Sequence, residues 1–366
     1  MTYEGLYHWG RGELLSAEIT EAQLDARLLL ESVCGTGRND LLVHGDRAVD
    51  AEKQAAYERL IAGRKKRIPL QQLTGVQEFM GLEFLVDRHV LIPRQDTEIL
   101  VEEVLKNLYD GMRILDLCTG SGCILISLLH YSNDCEGVGA DISPEALAVA
   151  RKNARKLLGP KTCAEGESSV GKGTEDTREM GCGEECAVNA SVLCGREDSV
   201  GDVPAPSYGK GYPGKVPGLY NRNGAAGNAM AWRDDEGGAA GAGDRDGRIS
   251  FVQGDLFEKV EGKFDIIVSN PPYIPSGVIG TLMPEVREHE PLEALDGGED
   301  GLSFYRRIVE ECRPHLCGGG MLFLEIGYDQ AADVRKLMED AGFLEINVVK
   351  DYGGLDRVGC GMRGFE

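Results

Sequence analysis

Apolar positions recur at helical spacing in the first seventy or so residues of the chain and then switch to an alternation of strand and helix patterns. Residues 20–35 hold good helix formers, including Leu24, Leu28, Leu29 and Leu30, with Gly35 placed to end the helix. A second helix is predicted over residues 51–67, with Ala55, Leu60 and Ile61 among its apolar positions and Pro69 just beyond it. Residues 1–75 therefore read as a small all-α N-terminal domain, a size marginal for independent stability and so expected to lean on its neighbour. Residues 76–95 read as a β-hairpin linker turning at Gly81. An amphipathic helix containing Ile99, Val101 and Leu105 follows, with Asp96 or Thr97 as its expected cap.

From residue 113 the pattern alternates. Short apolar strands are predicted at 113–117, 137–140, 249–253, 264–268 and 321–327, with helices at 123–131, 144–158, 301–314 and 330–342 and a closing pair of strands at 343–351 and 357–363. This order predicts a doubly wound α/β domain over residues 96–366. It is interrupted at 159–248 by a stretch rich in Gly, Ala, Ser, Asp and Glu, which cannot bury enough surface to offset ordering entropy and reads as a disordered insertion.

Composition narrows the function classes. The balance of 39 basic against 61 acidic residues gives a net charge of −22, which disfavours direct nucleic-acid binding. The basic run from Arg64 to Arg67 is read as the solvated end of a helix. No apolar stretch approaches membrane-spanning length and no signal pattern opens the chain, so a cytoplasmic protein is expected. Eleven cysteines, four of them (Cys163, Cys182, Cys186, Cys194) in the insertion, fit reduced thiols better than a disulfide framework or a metal site, and no metal is expected.

Candidate chemistry sits at the ends of the predicted strands. Residues 118–122 form a glycine turn between a strand and a helix, where Gly120 and Gly122 let backbone approach a ligand. Asp141, ending the second strand, is placed to hold a ribose diol. The dinucleotide fingerprint lacks its third glycine here, and Asp116 would repel phosphate while tolerating a cation, so S-adenosylmethionine fits better than NAD. Asp255 would sit near the adenine, and Asp116, Asp141 and Asp255 are expected to line one sheet edge. The strand at 264–268 runs into Ser269-Asn270-Pro271-Pro272-Tyr273. Two prolines stiffen this loop, which offers the Asn270 amide oxygen, the Pro271 carbonyl and the Tyr273 ring to a planar –NH2 group.

Four stretches in order carry a resemblance: Ile92-Pro-Arg-Gln-Asp-Thr-Glu98, Asp116-Leu-Cys-Thr-Gly-Ser-Gly122, Asn270-Pro-Pro-Tyr273 and Asp351-Tyr-Gly-Gly-Leu-Asp-Arg357. Together they resemble the HemK/PrmC family, protein-(glutamine-N5) methyltransferases of class 1 peptide chain release factors. The resemblance implies a seven-stranded, Rossmann-like, S-adenosylmethionine-dependent methyltransferase domain beside a helical domain that helps hold the release factor. It implies methylation of the glutamine in a Gly-Gly-Gln motif. It assigns cofactor binding to Cys118, Thr119, Gly120, Ser121, Gly122, Asp141, Asp255, Leu256 and Asn270, and substrate binding to Asn270, Pro271, Pro272 and Tyr273, with Asn270, Pro271 and Tyr273 catalytic. Cys118 stands where the family usually has Gly, and Gln95 where Pro is common. Two alternatives present acceptors to the same kind of group: an adenine exocyclic-amine methyltransferase acting on nucleic acid, and a glutamine methyltransferase of a ribosomal protein.

Overall fold

In the computed structural model the described residues are 1–159 and 247–365. The reading of an insertion at 159–248, with its four cysteines, falls almost wholly outside them. The N-terminal part is built from α1 (Tyr3–Ser16), α2 (Ala22–Cys34), α3 (Arg38–Val43), α4 (Ala51–Lys65) and α5 (Leu70–Thr74). Gly35 ends α2 in the left-handed conformation, as its position in the sequence suggests. Helix α1 is not visible in the periodicity, because Gly5, Gly10 and Gly12 dilute its helix propensity. Gly10 has a packing reason: a Cβ there would lie 2.0 Å from the Tyr57 hydroxyl. Tyr57 thus passes beneath α1 and donates to the Ala26 carbonyl of α2 at 3.0 Å, joining three helices through one buried ring. Leu6, Leu14, Leu29, Leu30 and Ile61 complete this core, each buried Leu contributing about 2 kcal/mol by area.

The basic run does end α4, with Lys65 and Lys66 exposed, but its two arginines are not simply solvated. Arg64 is buried and donates to Asp25 at 2.7 Å and to Glu285 at 3.1 Å, while Arg67 reaches Glu285 at 3.4 Å and the Ala17 and Glu18 carbonyls. Opposite charges 39 and 221 positions away in sequence supply these partners, which no local pattern shows. The same face is extended by Gln72, which donates to the His289 carbonyl at 2.8 Å.

A hairpin follows, β1 (Val76–Phe79) against β2 (Leu82–Leu85), with Met80 and Gly81 both at positive φ in its two-residue turn. Then come α6 (Asp96–Asn107), β3 (Arg113–Leu117), α7 (Cys123–Tyr131), β4 (Glu136–Asp141), α8 (Pro144–Leu158), β5 (Ile249–Gln253) and β6 (Phe264–Ser269). Two single-turn helices, α9 (Ser276–Ile279) and α10 (Pro284–Arg287), precede α11 (Ser303–Glu311), β7 (Leu316–Glu325), α12 (Ala331–Asp340), β8 (Leu344–Lys350) and β9 (Asp356–Met362). Neither Asp96 nor Thr97 caps α6: its N-cap is Gln95, without a side-chain capping bond, and the two expected caps bond elsewhere.

The seven strands from β3 to β9 form one sheet in the order β5-β4-β3-β6-β7-β9-β8, with β9 antiparallel to both its neighbours and the rest parallel. Helices cover both faces in two cores, one holding Leu100, Ile124, Leu125 and Leu128, the other Phe264, Tyr305, Ile308 and Leu322. The seven-stranded α/β architecture expected of a Rossmann-like methyltransferase is present. After β5 the chain crosses to the far side of β3, so β3 and β6 bracket a topological switch point. No helix among the described residues is long and apolar enough to cross a membrane, and the seven described cysteines are free.

The buried cluster at Arg64 predicts an asymmetry between neighbouring cations. Arg64→Met leaves Asp25 and Glu285 without their shared cation and should cost about 3 kcal/mol in urea denaturation. Lys65→Met, which breaks only the half-exposed pair with Glu13, should cost under about 1 kcal/mol.

Candidate active site

The carboxyl ends of β3, β4, β5 and β6 open onto a cavity of about 920 Å³, a size that suits a nucleoside-containing ligand. Leu117 pairs with Ser269 across β3 and β6, and the Ser269 hydroxyl donates to the Leu117 carbonyl at 2.7 Å. The residues that follow, Cys118 and Asn270, therefore leave adjacent strands side by side. Cys118, Thr119, Gly120, Ser121, Asp141, Asp255, Leu256, Asn270 and Pro272 all line the cavity. Gly122, Pro271 and Tyr273 are not among its lining residues.

The glycine turn alternates in backbone handedness. Cys118, Gly120 and Gly122 have φ of 57°, 56° and 78°. A Cβ at Gly122 would lie 2.8 Å from Ile126 and 3.3 Å from Ala150, so this glycine keeps α7 close to α8 rather than meeting ligand. At Cys118 an L-residue occupies a conformation that glycine adopts freely, which explains in steric terms why the turn suits glycine there. Burial pushes the Cys118 thiol up, helped by Asp141, so it stays protonated.

Asp141 is locked by the turn it faces. Its Oδ2 accepts from the Gly120 N–H at 2.8 Å and its Oδ1 from the Ser143 N–H at 2.9 Å. Burial raises its pKa and these backbone donors oppose the rise, so the carboxylate is held in one orientation with its remaining lone pairs available to hydroxyl groups. Asp255 also reaches the cavity, with Arg307 donating to its Oδ1 at 3.0 Å. The third strand-end acid departs from expectation. Asp116 is fully buried beneath the turn, accepts from the Thr119 hydroxyl at 2.6 Å, and is pushed up to about 7 by burial. It braces the loop and does not line the cavity.

Asn270 donates through Nδ2 to the Thr97 hydroxyl at 3.3 Å. Behind it, the Tyr273 hydroxyl donates to Glu325 Oε1 at 3.3 Å, and the Tyr273 carbonyl accepts from Gln330 Nε2 at 3.0 Å. The Tyr273 ring is thus engaged with the sheet, and burial together with the Glu325 charge pushes its phenol up. A return strand-like segment closes the loop, with Ile274 bridging to Asp296.

Sequence reasoning missed how four of the five polar residues after Pro93 work. Arg94 binds Glu290 at 2.5 Å, Asp96 binds Arg357 at 3.2 Å, Thr97 meets Asn270, and Glu98 Oε1 accepts from the Met80 N–H at 2.7 Å. Each ties the start of α6 to a different segment. Arg357 also holds Asp351 at 3.1 Å, so the stretch around Asp351 braces α6. The signal available was a helix start with no apolar periodicity and a polar side chain at every position. His89, paired with Asp87 at 3.2 Å, and Ile142 also line the cavity, and nothing in the local sequence marks them. Among the described residues no group of side chains could hold a metal ion.

Comparison with known proteins follows the same division. A PrmC N-terminal domain model matches residues 5–75 and a methyltransferase domain model matches residues 108–161. The release factor glutamine methyltransferase of Geobacter sulfurreducens is 33% identical over 364 residues, covering 99% of this chain and 97% of that one. The proteins of the same name from Agrobacterium fabrum and Clostridium acetobutylicum are 32% and 33% identical, covering 95% and 93% of this chain and 93% and 91% of their own lengths.

The strained backbone at Cys118 predicts a reversal of the usual order of small residues. Elsewhere Ala stabilises over Gly by about 0.5–1 kcal/mol, whereas here Cys118→Gly should be more stable than Cys118→Ala by about 1 kcal/mol in urea melts.

Proposed function

The chain belongs to the release factor glutamine methyltransferases, and from that premise we propose that it methylates the side-chain amide nitrogen of the glutamine in the Gly-Gly-Gln motif of class 1 peptide chain release factors, using S-adenosylmethionine. The site assignment is carried by the register of β3 and β6, which sets the glycine turn beside Asn270 on one cavity wall.

The cofactor's chemistry fits the lining. Asp141 presents oxygens anchored by two backbone amides, as a ribose diol requires, and with Asp255 and Glu145 it makes an acidic wall suited to a cation. Thr119, Gly120 and Ser121 bring the turn to the same wall, with Leu256 on the adenine side. When bound, S-adenosylmethionine supplies a methyl group carried on a positively charged sulfur.

An amide nitrogen is a poor nucleophile because its lone pair is delocalised into the carbonyl. The Asn270 Oδ1 would accept an amide hydrogen, aim the nitrogen, and stabilise positive charge developing on it. Pro272 limits the motion of that loop, and Tyr273 anchors it through Glu325 and Gln330. The acceptor proton leaves to water. The helical N-terminal part, matched over residues 5–75, is assigned to holding the release factor, and the net charge of −22 weighs against a nucleic-acid substrate.

Labelled methyl transfer to a purified class 1 release factor tests this reading. Label should enter the Gly-Gly-Gln factor, not a Gly-Gly-Ala copy, and Asn270→Ala should lower kcat by about 100-fold or more. Equal label on both factors would place the target elsewhere, and label on nucleic acid in place of protein would overturn the reading.

A further inference from the structure

An amide side chain is two-faced: one end accepts hydrogen bonds and the other only donates. If Asn270 is to receive an –NH2 group, its Oδ1 must face the cavity. Turned over, it would offer two donors to two donors. Nothing in the covalent structure distinguishes the orientations, so a neighbour has to.

Thr97 is that neighbour. It lies in the first turn of α6, 2% exposed, and its hydroxyl accepts from Asn270 Nδ2 at 3.3 Å. A hydroxyl can accept or donate, and here it accepts, which turns Nδ2 toward α6 and leaves Oδ1 for the cavity. Behind the loop the Glu325 carboxyl, which ends β7 and is 1% exposed, accepts from the Tyr273 hydroxyl through Oε1, while Oε2 has no hydrogen-bond partner among the described residues. Burial pushes the Glu325 carboxyl up to about 7, and Thr97 and Tyr273 pull it down. Arg357 from β9 attracts the charged form, Asp96 from α6 opposes it, and Tyr305 from α11 bonds the Glu325 backbone carbonyl.

We propose that Thr97 is a positioning residue that fixes the Asn270 amide with Nδ2 turned inward and Oδ1 presented to the cavity as an acceptor for the substrate amide. Thr97 touches no reacting atom and acts through Asn270. The inference rests on the reading that Asn270 meets an –NH2 group.

Two matched pairs of residues test it. Thr97→Val keeps the shape and removes the hydroxyl, whereas Thr97→Ser keeps the hydroxyl and removes a methyl. Methyl transfer to a Gly-Gly-Gln release factor, S-adenosylmethionine affinity by calorimetry, and thermal midpoint are measured for each. Thr97→Val should lower kcat by about 10- to 100-fold, with S-adenosylmethionine affinity within about twofold of wild type, and Thr97→Ser should stay within about threefold of wild type. Should Thr97→Val fail to fold, Thr97→Ala replaces it and is compared with Thr97→Ser, the two differing only in the hydroxyl. Equal kcat in the variants with and without the hydroxyl overturns the proposal, as does a loss that follows S-adenosylmethionine affinity. A wild-type enzyme that labels no release factor overturns the functional reading, and the proposal with it. Normal wild-type transfer with an unaffected Thr97→Val overturns the proposal alone.

Discussion

The parallel pairing of β3 with β6 is the constraint on which the site depends. The two strands are far apart in sequence, separated by β4, β5 and the stretch between α8 and β5, yet Leu117 and Ser269 lie opposite each other. Parallel strands share a direction, so both end on the same edge of the sheet, and the loops that follow are forced together. Slipping the register by one residue would turn Ile266 and Val268 out of one core and Ile267 out of the other, at a cost of several buried side chains. The hydrophobic cores thus hold the cavity's geometry by holding the register.

Around that edge the polar groups are used as braces. Asp116, Glu325 and Glu290 are all buried, and burial pushes each of their carboxyl groups up. Asp116 stands behind the glycine turn through Thr119 and Glu290 behind Arg94, while Glu325 holds Tyr273 in the loop that follows Asn270. A buried ionisable group is costly, and the cost is offset only when specific partners surround it. Each of the three holds its partner through one oxygen, so moving that partner would break the bond. The same logic joins the helical part to the sheet, where Arg64 and Arg67 converge on Glu285.

Much of the fold was legible because its periodicities are local. Strand runs such as Ile266-Ile267-Val268, the end of α2 at Gly35, and the hairpin turn at Gly81 follow from residue types within a few positions. Helix α1 was not, because its glycines weaken the pattern and are explained only by Tyr57 packed against Gly10. The candidate site divides in the same way. Cys118, Gly120, Asp141 and Asn270 stand where strands end, which sequence shows, and the cavity gathers them. Asp116 stands at a strand end too, but the direction of a side chain is set by the pleat and the neighbouring turn, and it points inward.

By itself the sequence determined the order of the sheet's strands and the main helices between them, the α/β class, the acidic balance and the motifs that mark the family. These depend on propensity, spacing and composition, which act over a handful of residues. Only the tertiary structure decided the partners: that Arg64 is buried and not solvated, that Thr97 holds Asn270 and does not cap its helix, and that Tyr273 bonds Glu325. Each of these is a contact across 39 to 221 positions of chain. A charged or hydroxyl group in a sequence states what it can bond. Which bond it makes is set by burial, where water is no longer a competing partner and the few groups packed nearby are the only choice.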